Sequence, residues 1–116
     1  MADSTISIAE NFSRYPGPRY RKDGPFSGEE FREGYLQPAL SAALKDGGIV
    51  AVVLDGVAGY GSSFLEEAFG GLVRSGLSWQ ALQDHLRLVA RTRRFEHHKV
   101  RAQSYIAEEA RRLQTA

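Results

Sequence analysis

The stretch IVAVVLDGVAGYGSSFLEEAFGGLV, residues 49–73, decides the fold of this chain. Its first six residues, Ile49 to Leu54, are apolar and mostly β-branched, which is typical of a central strand covered on both faces in a parallel sheet. Glycines at positions 56, 59 and 61 follow and predict a turn in which positive φ is tolerated. From Phe64 to about Arg74, apolar residues recur three and four apart, which predicts a helix.

The start of that helix is the most promising place for a functional site. Ser62 or Ser63 is expected to cap it, and Ser63 with Glu66 has the spacing of a capping box. Ligands of α/β sheets bind at the carboxyl ends of the strands, and helix N-termini attract anions. We therefore expect any function to be located around residues 55–67.

The flanking sequence predicts further strands and helices in alternation. Residues Thr5 to Ala9 alternate in polarity and predict a short strand near an edge, and residues 10–26 are loop-rich. Ser27 is expected to start a helix in which Pro38 causes either a kink or a second start. Residues 86–91 alternate like a strand, and a long amphipathic helix is predicted from Thr92 or Arg93 onward. Helices between strands imply a largely parallel sheet.

Length and composition favour one domain over residues 1–116, with its core at about 5–113. The chain has 116 residues, 42% of them hydrophobic, and a net charge of +1. It contains no cysteine, which excludes disulfides, thiolate catalysis and zinc–cysteine sites and agrees with a cytoplasmic setting. The N-terminus lacks the pattern of a signal peptide, and no apolar run approaches the ~20 residues that span a bilayer.

Two other kinds of function have partial support in the sequence. The segment Arg87 to Arg101 is rich in arginine and lysine against the single acid Glu96, so it is a candidate nucleic-acid contact. A small serine hydrolase using Ser62 or Ser63 is a further alternative, but a nucleophile elbow needs glycine where Leu65 stands. The glycine turn lacks a nucleotide-binding fingerprint, and the histidines have no metal-ligand spacing, so we expect no cofactor or metal.

A serine at a helix N-terminus is also a favourable site for regulatory phosphorylation. The phosphate would meet free N–H groups and the positive end of the helix dipole. It would also change the surface charge enough to release or recruit a partner.

The segment from Gly56 to Phe64, GVAGYGSSF, resembles the signature of STAS domains, the bacterial anti-sigma factor antagonists and their relatives. The family pattern is a strand, Gly-Val, a hydrophobic stretch, Asp-Ser-Ser-Gly and a helix, which aligns Ser62 with the serine that is phosphorylated in those regulators. Gly61 replaces the aspartate and Phe64 the glycine. The run SFLEEAFGGL, residues 63–72, is more similar to a divergent STAS-like family of unknown function.

The resemblance implies a small α/β domain with a mixed, mostly parallel sheet backed by helices and without catalytic activity of its own. It implies a protein partner, such as an ATPase with a histidine-kinase-like fold or a serine kinase, and Ser62 or Ser63 as the switch. We expect the partner-binding surface to comprise Asp55, Gly59, Tyr60, Gly61, Glu66 and Glu67.

Overall fold

A computed structural model describes residues 3–115. Its three strands form one parallel sheet in the order β1 (Ser4–Ser7), β2 (Val50–Val53), β3 (Leu86–Val89). In the register, Ile6 lies beside Val52, and Val52 beside Leu88. The predicted α/β class with a mostly parallel sheet is confirmed.

Four helical segments accompany the sheet. The first helix (28–46) consists of Gly28–Phe31, a π-helical turn Arg32–Leu36, and Gln37–Asp46. The central helix (62–74) consists of Ser62–Leu65, a π-helical turn Glu66–Gly70, and Gly71–Arg74. A short helix, Trp79–His85, and the C-terminal helix, Arg93–Thr115, complete the set, with single turns at Ile8–Phe12 and Arg21–Asp23. None of the helices in residues 3–115 has the length and apolar character needed to cross a membrane.

Local hydrogen bonds explain where several of these elements start and stop. β1 ends at Ser7, two residues earlier than predicted, because the Ser7 hydroxyl accepts a hydrogen bond from the Glu10 N–H (3.2 Å) and caps a turn there. The Ser27 hydroxyl caps the first helix through the Glu30 N–H (3.0 Å), as predicted. The π-helical turn ends at Leu36, and a second α-helical part begins at Gln37 with Pro38 in its first turn. Pro38 has no N–H to donate and is tolerated there, so the first helix continues through Pro38 without a break.

The sheet has one buried face and one face that is largely open. Ile6, Val50, Val52, Leu86 and Leu88 alternate along the strands and belong to the hydrophobic core. On the opposite face, the register row Thr5–Ala51–Arg87 is exposed at both ends and half-buried at its centre. The expectation that both faces of the central strand are covered therefore fails at the half-buried Ala51, although Val53 on the same face is only 4% exposed. Three strands in sequential order with right-handed crossovers receive their helices on one side, which leaves the other face less covered.

An aromatic cluster fixes the central helix against the first helix. Phe64 and Phe31 are both fully buried, with ring centroids 6.2 Å apart, and Phe12 approaches Phe31 to 5.1 Å. Phe64 directly follows the serine pair. The residues at the start of the central helix are therefore held in place by the close packing of Phe64 in the core.

Candidate functional site

Asp55 ties the end of β2 to the end of β3. Its carboxylate accepts hydrogen bonds from the N–H groups of Arg91 (2.8 Å) and Thr92 (3.0 Å) and from the Thr92 hydroxyl (2.9 Å). Partial burial acts to raise the pKa of Asp55, but these hydrogen bonds outweigh it and hold the pKa below its ordinary value. Asp55 is therefore an ionised structural anchor of the turn.

Only one of the three turn glycines is required by the backbone. Gly56 has φ +96°, and a Cβ there would approach the Ala9 Cβ to 3.0 Å. Gly59 and Gly61 do not adopt positive φ, and a Cβ at either position would meet no atom within 4 Å. The expectation of a turn built on positive φ therefore holds at Gly56 alone. Gly61 is the N-cap of the central helix, a position where glycine is among the favoured residues.

Further contacts hold the rest of the turn in place. The Ala58 N–H donates to the Arg14 carbonyl (2.8 Å), and the Arg94 guanidinium donates to the Ala58 carbonyl. The Tyr60 hydroxyl donates to the Leu54 carbonyl at 2.6 Å, and burial raises the pKa of Tyr60. The Tyr60 side chain is only 8% exposed, so it packs below the predicted partner-binding surface and is not part of that surface.

Both serines are exposed, and neither caps the helix. The central helix begins at Ser62 with Gly61 as its N-cap, which offers no side-chain hydrogen bond to the first turn. The predicted caps and the capping box of Ser63 with Glu66 are therefore wrong: the helix begins at Ser62, two residues earlier than an N-cap at Ser63 would require. Among the described residues, neither serine hydroxyl has a hydrogen-bond partner.

Glu66, predicted to reach back to the serines, points instead into an ion-pair network. Its carboxylate forms two hydrogen bonds with the Arg74 guanidinium (2.7 and 2.9 Å) and one with Arg19. The Arg74 contact is the main reason why the pKa of Glu66 lies below its ordinary value. The sequence pattern missed this network because its cations lie 8 and 47 residues away along the chain.

Glu67 is the buried centre of the same network. The Glu67 carboxylate receives the Arg32 Nη2 at 2.8 Å, and the Glu67 carbonyl accepts from Arg32 Nε at 3.1 Å. The two side chains are only 7% and 10% exposed. Glu67 is thus internal, and its expected place on a contact surface does not agree with its burial.

The network continues to the C-terminal helix. Arg74 also donates to Glu109 (2.9 Å), and Arg112 forms two hydrogen bonds with the same carboxylate (2.7 and 2.9 Å). Both residues at which the π-helical turns begin, Arg32 and Glu66, belong to this network. Glu66 and Glu67 therefore link the central helix to Arg19, to the first helix through Arg32 and, through Arg74, to the C-terminal helix.

The Gly70-Gly71 pair makes room for these charges. A Cβ on Gly71 would lie 2.5 Å from Arg32 Nε, and one on Gly70 would lie 2.6 Å from a Glu66 carboxylate oxygen. The two glycines inside the helix therefore allow close packing of charged side chains of the network.

Acid should weaken the fold through Glu109. Hydrogen bonds from Arg112 and then Arg74 lower the pKa of Glu109 from 4.5 to about 2, so its stabilising effect is complete above pH 4.5 and is lost as the pH falls towards 2. We expect Glu109→Gln to lower the thermal midpoint at pH 7 and to flatten its decline between pH 5 and 2. Thermal melts across that range check this, with Glu108→Gln, on the exposed surface of the same helix, as the control. If the thermal midpoint of Glu109→Gln falls with pH as steeply as that of the unsubstituted chain, Glu109 is not the group that makes the fold sensitive to acid.

The histidines and the basic segment have other partners. His85 Nδ1 lies 2.7 Å from the Gly48 carbonyl, and no hydrogen bond joins a histidine to Ser62 or Ser63 in residues 3–115. His98 packs on Tyr60, and burial with nearby positive charge lowers the pKa of His98. Within the described chain, no group of three or more histidine or carboxylate residues could hold a metal ion.

In the candidate nucleic-acid segment, two arginines bind backbone carbonyls. Arg87 donates to the carbonyls of Gln83 and Leu86, and Arg94 donates to that of Ala58 while its guanidinium lies over the Phe95 ring. These contacts give both side chains a structural role and add no support for phosphate binding.

Comparison with known proteins agrees with the fold and the central motif. A family model described as a STAS-like domain of unknown function matches residues 27–90, which is more than half of the chain and includes the turn, the serine pair and the network glycines. Searches of curated proteins and of solved structures find no significant match. The chain therefore belongs to the family of STAS-like domains of unknown function.

Proposed function

We propose that this chain is a non-enzymatic regulatory module that binds a protein partner through the serine surface, defined as Gly59, Gly61, Ser62 and Ser63. The observation that carries the proposal is the state of the two serines: they are exposed and their hydroxyls are not used by the fold. Membership of a STAS-like family makes regulated protein binding the natural use of such a surface.

The rigidity of the turn supports the proposal. Asp55, Ala58 and Tyr60 are each held by hydrogen bonds, and Phe64 is buried immediately after the serines. A partner would meet a preformed surface and would lose little affinity to the ordering of a loop.

The absence of side chains at Gly59 and Gly61 supports it as well. At neither position does a positive φ or a packing clash require glycine. A partner that approaches the backbone closely at these positions would require glycine there.

In the proposed mechanism, phosphorylation of Ser62 or Ser63 is the switch. Gly61 contributes no side chain to the first N–H groups of the central helix, so a phosphate could accept hydrogen bonds there and benefit from the helix dipole. The partner class is an ATPase with a histidine-kinase-like fold or a serine kinase, and the change in charge would alter its binding.

Phosphosite mapping tests the switch. The purified chain is incubated with ATP and a purified ATPase of histidine-kinase-like fold, and the modified residue is identified by mass spectrometry. We expect one phosphate, on Ser62 or Ser63, that is lost in the matching alanine variant and retained in Ser41→Ala, which removes an exposed serine of the first helix. An unmodified chain, or modification at other residues only, would remove the switch from the proposal.

A further inference from the structure

A continuous groove runs along the C-terminal helix and shares no residue with the serine surface. It is formed by three adjoining cavities of about 280, 490 and 160 Å³. Gln83, Gln103 and Ile106 line both the first and the second, and Trp79 and Ala107 line both the second and the third. The groove therefore extends from the edge of β3 to the last turns of the C-terminal helix.

The groove exposes large apolar side chains that the fold leaves unpacked. Trp79 is 41% exposed and Val100 60% exposed, whereas Ile106 on the floor is 4% exposed. Val100, Gln103 and Ala107 follow at spacings of three and four and so lie on one side of the C-terminal helix. A row of this kind with a tryptophan at its edge is typical of a surface that binds another protein.

The ionisable side chains that line the groove are cationic. They are Arg87, Lys99 and Arg111, and no aspartate or glutamate among residues 3–115 lines any of the three cavities, although Glu96 lies beside the groove and pairs with Lys99 at 3.9 Å. This charge is complementary to an acidic partner, and a second copy of the chain would bring like charges together.

Part of the β3 edge is already engaged within the fold. The Arg87 guanidinium donates to the carbonyl of Leu86 (2.9 Å) at the start of β3 and to that of Gln83 (2.7 Å) in the preceding helix. A helix that binds through its side chains needs none of these backbone groups.

We propose that this groove binds an acidic amphipathic helix of a protein partner. The apolar face of that helix covers Trp79, Val100 and Ala107, and its carboxylates meet the cationic lining of the groove at Lys99. The inference goes beyond the serine surface: it gives the chain a second, constitutive docking site, which holds a partner while the serines are free to be modified.

Trp79 is the only tryptophan in the chain and reports directly on the groove. The probe is a synthetic amphipathic peptide of about 16 residues with leucine on one helical face and glutamate on the other. We expect saturable binding with a blue shift of the Trp79 emission, weakened by added salt. A peptide with lysine in place of glutamate should bind at least about tenfold more weakly.

Variants separate the groove from other surfaces. Val100→Asp should weaken peptide binding about tenfold and Lys99→Glu about threefold, whereas Leu44→Asp, at a leucine of 41% exposure outside the groove, should leave it unchanged. Circular dichroism and thermal melting verify that each variant is folded. No saturable binding, binding without a change in Trp79 emission, or equal binding of the lysine peptide would overturn the proposal. So would a concentration-dependent dimer that Val100→Asp disrupts, since a second copy would then occupy the groove.

Discussion

Glu67→Gln should destabilise the chain by about 3 kcal/mol, since removing one partner of a buried ion pair leaves an uncompensated charge. The Arg32 guanidinium loses the carboxylate 2.8 Å from its Nη2 and stays buried with only neutral oxygens around it. Urea unfolding at pH 7 measures the loss. Because glutamine has the same shape, the comparison isolates the charge.

The exposed pair Arg21–Glu33 provides the matched control for that prediction. Its side chains are 51% and 46% exposed, and the Nε–Oε1 distance is 3.2 Å. Solvent screens such a pair, so Glu33→Gln should change the free energy of unfolding by no more than about 1 kcal/mol. Equal effects of the two substitutions would contradict a structural role of the buried pair.

Gly71→Ala should destabilise the chain although alanine is the better helix former. The helix propensity favours alanine by about 1 kcal/mol, but the new Cβ would lie 2.5 Å from Arg32 Nε. That atom cannot move away freely, because it donates to the Glu67 carbonyl and its guanidinium is bound to the Glu67 carboxylate. Overpacking of this kind costs about 1–3 kcal/mol, so after the propensity gain we expect a net loss of up to about 2 kcal/mol in urea unfolding.

Gly34→Ala, in the first helix, is the control substitution for Gly71→Ala. A Cβ at Gly34 would meet no atom within 4 Å. With no clash to oppose it, alanine should stabilise the chain by about 0.5–1 kcal/mol. A gain of similar size at position 71 would show that Gly71 is not needed to accommodate Arg32.

The strands and helices could be predicted because their signals are local. The β-branched run before Asp55 predicts β2, and Ser27 predicts the first helix, where its hydroxyl accepts a hydrogen bond from the Glu30 N–H. The motif around Ser63 and Phe64 was sufficient to suggest the family.

The side-chain contacts of the site could not be predicted, because they depend on residues distant in sequence. Glu66 has the spacing of a capping box with Ser63, yet Arg19 and Arg74 bind its carboxylate. Glutamate is usually a surface residue, but the Glu67 side chain is buried because it pairs with Arg32, which lies 35 residues earlier in the chain. The open face of the sheet follows from the strand order, which no single strand encodes.

The most direct test of the serine surface is the affinity of a partner ATPase with a histidine-kinase-like fold for the unmodified chain and for charge variants, measured by isothermal titration calorimetry. We predict that Ser62→Asp or Ser63→Asp changes the Kd at least about tenfold, while Ser41→Asp, which adds the same charge on the first helix, leaves it unchanged. Binding that is the same for all four proteins, or no binding to any of them, would contradict the proposed function.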